Sequence, residues 1–194
     1  MNYLKLIRYQ NLLILILIQT IIRYGLFIPF GADLALSDFL FSLLVIATVC
    51  IAAAGNIIND IYDVNIDKIN KPEKVIINTK ITEKNANYLF IICNIIGVSL
   101  GFYISNQIEK PEFSGFFIVI SALLYLYATF LKSIPVVGNF IISGLVAFSL
   151  IIVGIFDLFP AINFLNQEYQ SFIFGILLNH SFFAFYINLM WEIV

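Results

Sequence analysis

The chain contains few charged side chains: Asp, Glu, Lys and Arg make up only 11% of its 194 residues. Soluble domains contain about 25% charged and 45–50% apolar residues, whereas this chain is 61% hydrophobic with a mean hydropathy of +0.99. A soluble core cannot bury so much apolar surface, so the composition indicates an integral membrane protein. The net charge of −2 and the pI near 5.3 provide no basic field and predict no nucleic-acid partner.

Cysteine and histidine are also scarce. Cys50 and Cys93 both lie in apolar runs and form no pattern typical of a disulfide framework or a metal site. His180 is the single histidine and lies in the last apolar stretch. A lone histidine without partners predicts a packing or hydrogen-bonding role, not a metal site or a nucleophilic triad.

Six apolar stretches are long enough to cross a bilayer, whose hydrocarbon core of about 30 Å requires roughly 20 helical residues. Only the first of them contains a charge, Arg23, which either snorkels to the interface or pairs with an internal carboxylate. The stretches are residues 9–30, 39–59, 85–108, 113–131, 133–156 and 169–191. The sequence therefore predicts an all-α polytopic membrane bundle of about six transmembrane helices.

Basic residues are concentrated at one end of these spans. Six alternating spans place the N-terminus, the 60–85 connection and the 132–135 turn on the same side. That side holds Lys5, Arg8, Lys68, Lys71, Lys74, Lys80, Lys84 and Lys132. The opposite connections hold Lys110 alone, which predicts a cytoplasmic N-terminus by the positive-inside bias. Usage rich in Ile, Asn and Lys favours a prokaryotic genome, and hence the cytoplasmic (inner) membrane.

Oxygen-bearing side chains cluster at the cytoplasmic end of the second span. If the helix continues at about 100° per residue, five of them share an arc roughly 100° wide. This carboxylate ladder consists of Asn56, Asn59, Asp60, Asp63 and Asp67. Carboxylates this close repel one another unless cations intervene. Hard oxygen ligands of this kind suit Mg²⁺, which also bridges to substrate phosphates.

Lysines follow the ladder closely in the sequence, beginning with Lys68 and Lys71. Metal-binding carboxylates followed by ammonium groups predict a site for a multiply charged anion, and a diphosphate fits best. Because the site opens into an apolar bundle, the organic part should be hydrophobic, as in an allylic prenyl diphosphate. Two other interpretations are a solvated acidic helix end and a cation-transport site. The latter is disfavoured because the acids lie at one helix end and the other spans offer no matching acids.

The ladder resembles the first acidic motif of the UbiA superfamily of intramembrane prenyltransferases, Asn-Asp-x-x-Asp-x-x-x-Asp. Residues 59–67, NDIYDVNID, reproduce that motif fully, and the small-residue run AAAG precedes it at 52–55. Lys71-Pro72 stands where most members have Arg-Pro. The segment RYQN at 8–11 is similar to the family's Arg-x-x-Asn segment, and YATFLK at 127–132 to the turn between its fourth and fifth spans.

The resemblance implies roles for individual residues. The catalytic positions would be Asn59, Asp60, Asp63 and Asp67. Of these, Mg²⁺ would be bound by Asn59, Asp63 and Asp67, with Asp60 in support. The diphosphate would be contacted by Lys68, Lys71, Lys132 and Lys74. The acceptor pocket would be shaped by Arg8 and Asn11.

The implied reaction is Mg²⁺-dependent transfer of a prenyl group from its diphosphate to a lipophilic acceptor in the membrane. The acceptor would be an aromatic quinone precursor or a glycerol-phosphate hydroxyl of an ether lipid. Residues 67–74, DKINKPEK, are more similar to the geranylgeranylglycerol-phosphate geranylgeranyltransferase branch. The family also has nine spans and a second acidic motif after the sixth, whereas this chain ends at Val194 where that motif is expected. The sequence thus predicts one incomplete domain, 1–194, and the alternative of a truncated, non-catalytic paralogue.

Overall fold

The computed structural model describes residues 2–134 and 136–193, apart from the side chains of Lys74, Glu192 and Ile193. Its α-helices are α1 Asn2–Leu6, α2 Tyr9–Ile21, α3 Asp38–Asn70, α4 Glu83–Gln107, α5 Ser114–Thr129, α6 Val137–Asp157 and α7 Gln167–Ile193. A π-helix, Ile22–Phe27, continues α2. The part of the chain described contains no β-strand, and six of its helical segments are long and apolar enough to cross a membrane. These findings confirm the predicted all-α class and the number of spans.

Helix α3 is the longest element and carries the ladder. It begins after Ser37, whose hydroxyl accepts a hydrogen bond from Leu40 N, and Asp38 in its first turn complements the helix dipole. Its 33 residues make it about 50 Å long, roughly 20 Å more than the hydrocarbon core. The helix continues through the ladder, as the shared arc of its side chains required, and ends at Asn70. The connection between the second and third spans therefore begins after Asn70 and not at residue 60, because no helix-breaking residue occurs before Pro72.

A separate apolar cluster packs around the extended end of α3. It joins α1, α3, the connection after α3 and the start of α4 through buried side chains. The cluster consists of Leu6, Ile57, Val64, Ile77, Ile81 and Ala86. These contacts hold α3 as far as Val64, so Asn59, Asp60 and Asp63 lie on a packed part of the helix, whereas most of residues 65–70 are exposed.

The main core lies between the π-helix, α3, α4, α5, α6 and α7. Phe117 on α5 is 1% exposed and packs edge-on against Phe156 of α6, with ring centroids 5.6 Å apart. A Cβ atom at Gly101 of α4 would lie only 2.2 Å from Phe117 Cδ2, so the absence of a side chain there permits the close approach. This packing closes the end of the bundle opposite the ladder.

Arg23 does not snorkel out of the first span but pairs with an internal carboxylate. Its guanidinium contacts the carboxylate of Asp157, and the two side chains are 4% and 0% exposed. The same group donates to Leu36 O at 2.7 Å and lies over the ring of Phe41. Asp157 in turn accepts from Leu36 N at 2.9 Å. This network joins the π-helix, the segment before α3 and the end of α6.

Candidate functional site

Three predicted site residues meet at the ladder. Asn59 Nδ2 donates to Asp63 Oδ2 at 2.8 Å, one helical turn along α3. Lys132 lies in the 3₁₀ turn Leu131–Ser133 after α5, and its Nζ donates to Asp63 Oδ1 and, at 3.4 Å, to Asn59 Oδ1. An ammonium group therefore already faces the positions that the motif assigns to metal binding. All three side chains are half-buried.

The other side of the ladder holds the N-terminal segment. Asp60 Oδ1 accepts from Arg8 Nη2 at 2.8 Å, and Asn56 Nδ2 donates to Ile7 O at 2.9 Å. Arg8 has φ 54°, a left-handed backbone conformation that is uncommon outside glycine. These contacts place the short helix α1 against α3. The helical period correctly placed Asn56 and Asp60 on the ladder face of α3. It did not predict that they contact Ile7 and Arg8.

The other predicted site residues make fewer polar contacts. Asp67 is half-buried and its carboxylate makes no hydrogen bond or ion pair within the described residues. Lys68 and Lys71 are exposed, and neither forms an ion pair in the part of the chain described. The side chain of Lys74 lies outside the described residues. Of the predicted diphosphate lysines whose side chains the structure describes, only Lys132 contacts the ladder.

The ladder offers oxygen atoms but not a preformed carboxylate cage. Among the described residues, no group of three His, Cys, Asp or Glu side chains is close enough to hold a metal ion. Asn59, Asp63 and Asp67 nevertheless lie at i, i+4 and i+8 on one face of α3, and amide and carboxylate oxygens are ligands that Mg²⁺ accepts while retaining waters. The donor set therefore fits a hard divalent cation that completes its coordination with water or phosphate.

An apolar cavity of about 400 Å³ extends from the ladder into the bundle. Asn59 lines it at the ladder end and Thr48 at the other, eleven positions apart on α3 and hence about 16 Å along the helix. Arg8 and Asn11, predicted to shape the acceptor pocket, both line it beside Asn59. Asn188 of α7 also lines the cavity and donates to Ser143 Oγ at 3.1 Å.

Sequence reasoning missed a set of polar contacts beside this cavity, which involve two of its lining residues, Thr48 and Ser149. Gln19 of α2 is fully buried, and its Nε2 donates to Ser149 O at 2.8 Å. Thr48 Oγ1 donates to Gln19 Oε1 at 2.9 Å. These contacts join α2, α3 and α6. An amide inside an otherwise apolar span was the available signal, since such groups are buried only with partners.

The helical bundle, the apolar cavity and the polar ladder at its opening define an integral membrane protein suited to an amphiphilic ligand. The sequence model of the UbiA prenyltransferase family matches residues 17–194. Because this match includes nearly all of the chain, the protein belongs to the UbiA prenyltransferase family.

The chain is similar to several archaeal enzymes. It is 38% identical over 104 residues to the digeranylgeranylglyceryl phosphate synthase of Sulfolobus acidocaldarius, a match covering 54% of this chain and 36% of that protein. It is 37% identical over 144 residues to the synthase of the same name from Methanocaldococcus jannaschii, covering 74% of this chain and 47% of the relative. The chain thus spans about a third to a half of these relatives.

A solved structure shares the fold. It is described as giving insights into the biosynthesis of digeranylgeranylglyceryl phosphate synthase in membranes, and it superposes with a TM-score of 0.69 at 28% sequence identity. The superposition covers 91% of this chain and 57% of that one. The family resemblance inferred from the ladder is confirmed by both kinds of comparison.

Proposed function

We propose that this protein transfers a prenyl group from a prenyl diphosphate to a glycerol-phosphate ether lipid in a Mg²⁺-dependent reaction. The observation that carries the proposal is the cluster of Asn59, Asp63 and Lys132 at the opening of an apolar cavity of about 400 Å³. The cluster suits the charged diphosphate, and the cavity suits an isoprenoid tail. The volume lies within the range of about 300–1,000 Å³ that is usual for small-molecule sites.

The metal would be held by Asn59, Asp63 and Asp67, and when bound it would neutralise negative charge on the leaving diphosphate. Lys132 donates a hydrogen bond to Asp63. When the substrate binds, Lys132 would donate to a diphosphate oxygen instead. Its ammonium group would then stabilise the charge that develops as the allylic C–O bond breaks. The acceptor hydroxyl forms the new C–O bond and loses its proton to water at the cavity opening.

The choice of acceptor is supported by the relatives, which are named digeranylgeranylglyceryl phosphate synthase. Arg8 and Asn11 line the ladder end of the cavity, so an acceptor with a phosphate group would lie near a guanidinium there. An aromatic quinone precursor is the competing acceptor. Supplying each acceptor with the same labelled geranylgeranyl diphosphate separates the two, because only one should yield a labelled lipid.

The site assignment is tested in membranes that contain the expressed chain. We expect Mg²⁺-dependent release of diphosphate from geranylgeranyl diphosphate, and we expect Asp63→Asn or Asp67→Asn to lower it at least about a hundredfold. Glu73→Gln is the matched control, since it removes an exposed carboxylate just after α3 that lies outside the site. Unchanged release in both ladder variants would show that the site is wrongly placed.

Two other functions make different predictions in the same membranes. A non-catalytic paralogue would bind geranylgeranyl diphosphate without consuming it or would ignore it. A cation-transport protein would show a cation flux that does not depend on any prenyl substrate. Flux measurements on vesicles with and without the diphosphate identify a transporter, and the absence of diphosphate release identifies a non-catalytic paralogue.

We also propose that the N-terminus and the ladder face the cytoplasm of a prokaryotic cell membrane. The proposal is supported by the eight basic residues at the ladder end of the spans, compared with Lys110 alone on the opposite connections. Reporter domains fused to the N-terminus and inserted after Lys110 should be active on opposite sides of the membrane. Equal reporter behaviour at the two positions would contradict this orientation.

A further inference from the structure

The guanidinium group of Arg8 lies at the cavity opening with most of its donors unused. Arg8 joins α1 to α2, lines the cavity beside Asn11, and has a side chain that is 45% exposed. Of the five N–H groups of a guanidinium, one donates to Asp60 Oδ1 at 2.8 Å, and the others make no hydrogen bond within the described residues. Arg8 can therefore donate to an anion in the cavity opening while it stays paired with Asp60.

Asp60 contacts Arg8 and does not itself line the cavity. One turn earlier on α3, Asn56 Nδ2 donates to Ile7 O at 2.9 Å, so two ladder residues hold two consecutive residues of the N-terminal segment. The carboxylates of the ladder thus have different partners. Asp63 pairs with Lys132, which comes from α5, whereas Asp60 pairs with the guanidinium that comes from the N-terminal segment.

The pairing restricts a side chain that would otherwise be free to move. An exposed arginine has many rotamers, and fixing them when a ligand binds costs conformational entropy. The carboxylate of Asp60 fixes the guanidinium before a ligand arrives. The guanidinium is planar and can present two parallel N–H groups to a phosphate, so its orientation affects how well it binds that group.

We propose that Asp60 is a positioning residue that holds Arg8 for the phosphate group of the acceptor lipid. This inference rests on the proposed function and assigns Asp60 a role separate from the metal support that the family resemblance implies. Asp60 acts on the acceptor through Arg8, whereas the prenyl diphosphate binds on the side of the ladder that holds Asp63 and Lys132. Loss of Asp60 should therefore weaken binding of the acceptor and leave binding of the prenyl diphosphate unchanged.

The experiment measures three affinities for the purified chain in lipid nanodiscs. The ligands are a glycerol-phosphate lipid with one geranylgeranyl ether chain, the same lipid without its phosphate, and geranylgeranyl diphosphate with Mg²⁺. Arg8→Ala should bind the phosphate lipid about tenfold to a hundredfold more weakly than wild type, and Asp60→Ala about tenfold more weakly. Neither variant should change the affinity for the phosphate-free lipid, and Asp60→Ala should keep its affinity for geranylgeranyl diphosphate within about twofold.

A double variant tests whether Asp60 acts through Arg8. When Arg8 is already alanine, Asp60→Ala should cause no further loss of affinity for the phosphate lipid, whereas a general structural effect would add to the first loss. Asp60→Asn should stay within about threefold of wild type, because the amide oxygen can still accept a hydrogen bond from the guanidinium. Glu73→Gln, which removes an exposed carboxylate outside the site, is the control for net charge.

Thermal unfolding verifies that each variant is folded. If Asp60→Ala is not, Asp60→Leu replaces the carboxylate by a group of similar shape that cannot accept a hydrogen bond, and it provides the same comparison.

The outcomes separate this inference from the proposed function. If the wild-type chain binds neither geranylgeranyl diphosphate nor the phosphate lipid, the proposed function fails and the role of Asp60 fails with it. If wild type binds both, four results would refute the role of Asp60 alone. These are an unchanged or higher affinity of Asp60→Ala for the phosphate lipid, an equal loss for geranylgeranyl diphosphate, a further loss in the double variant, and an affinity of Asp60→Asn as low as that of Asp60→Ala.

Discussion

The ion pair between Arg23 and Asp157 is the most deeply buried pair of charges among the described residues, with side chains 4% and 0% exposed. The perturbation that isolates it is Arg23→Met, because methionine retains an apolar stem but carries no charge. Asp157 would then keep its hydrogen bond from Leu36 N at 2.9 Å but lose its cation. The substitution lies at the end of the bundle opposite the ladder, so it tests stability separately from the site.

The structure gives the expected magnitude. Removing one partner of a buried ion pair costs about 3–5 kcal/mol, because the remaining charge is left without compensation. The second contact of Arg23, with Asp38 at 3.2 Å, adds little because the Asp38 side chain is 79% exposed. Replacing both charges, as in Arg23→Met with Asp157→Asn, should recover about 2 kcal/mol, since an amide oxygen can still accept from Leu36 N.

The assay is reversible unfolding of the purified protein in mixed micelles, followed by helix content. We expect Arg23→Met to lose about 3–5 kcal/mol of unfolding free energy and the double variant to lie between it and wild type. Lys110→Met is the control, because Lys110 forms no ion pair among the described residues and its loss should cost less than about 0.5 kcal/mol. A cost below about 1 kcal/mol for Arg23→Met would refute the reasoning, because so small an effect is typical of an exposed pair.

Two further predictions concern packing and charge. Gly101→Ala should destabilise the bundle by about 1–3 kcal/mol in the same unfolding assay, because the added methyl group would meet the ring of Phe117. Gly175→Ala, which has open space around the new methyl group, should be neutral or stabilise by up to about 1 kcal/mol. Lys132→Met should weaken binding of geranylgeranyl diphosphate about tenfold to a hundredfold in calorimetry, since the ammonium group that pairs with Asp63 would no longer be available to a diphosphate oxygen. Lys84→Met is its control, and equal affinities in the two variants would contradict the assigned contact.

Features that depend only on residues close together in the sequence could be predicted from it. Six spans follow from apolar length, and the shared face of Asn59, Asp63 and Asp67 follows from the helical period, because α3 continues through all three. Contacts between distant segments could not be predicted in this way. Lys132 reaches Asp63 across 69 positions of the chain, and only the packing of α5 against α3 brings the two together.

Contacts with a distant segment also explain why only three of the five ladder residues are candidates for metal binding. The helical period places Asn56 and Asp60 on the same broad face as the others, but it does not show what packs against that face. In the structure both residues hold the N-terminal segment, Asn56 through Ile7 O and Asp60 through the Arg8 guanidinium. These contacts also keep Arg8 at the cavity opening in its left-handed conformation. One part of the ladder is thus left free for the proposed cation, while the other holds the basic side chain that would face the acceptor.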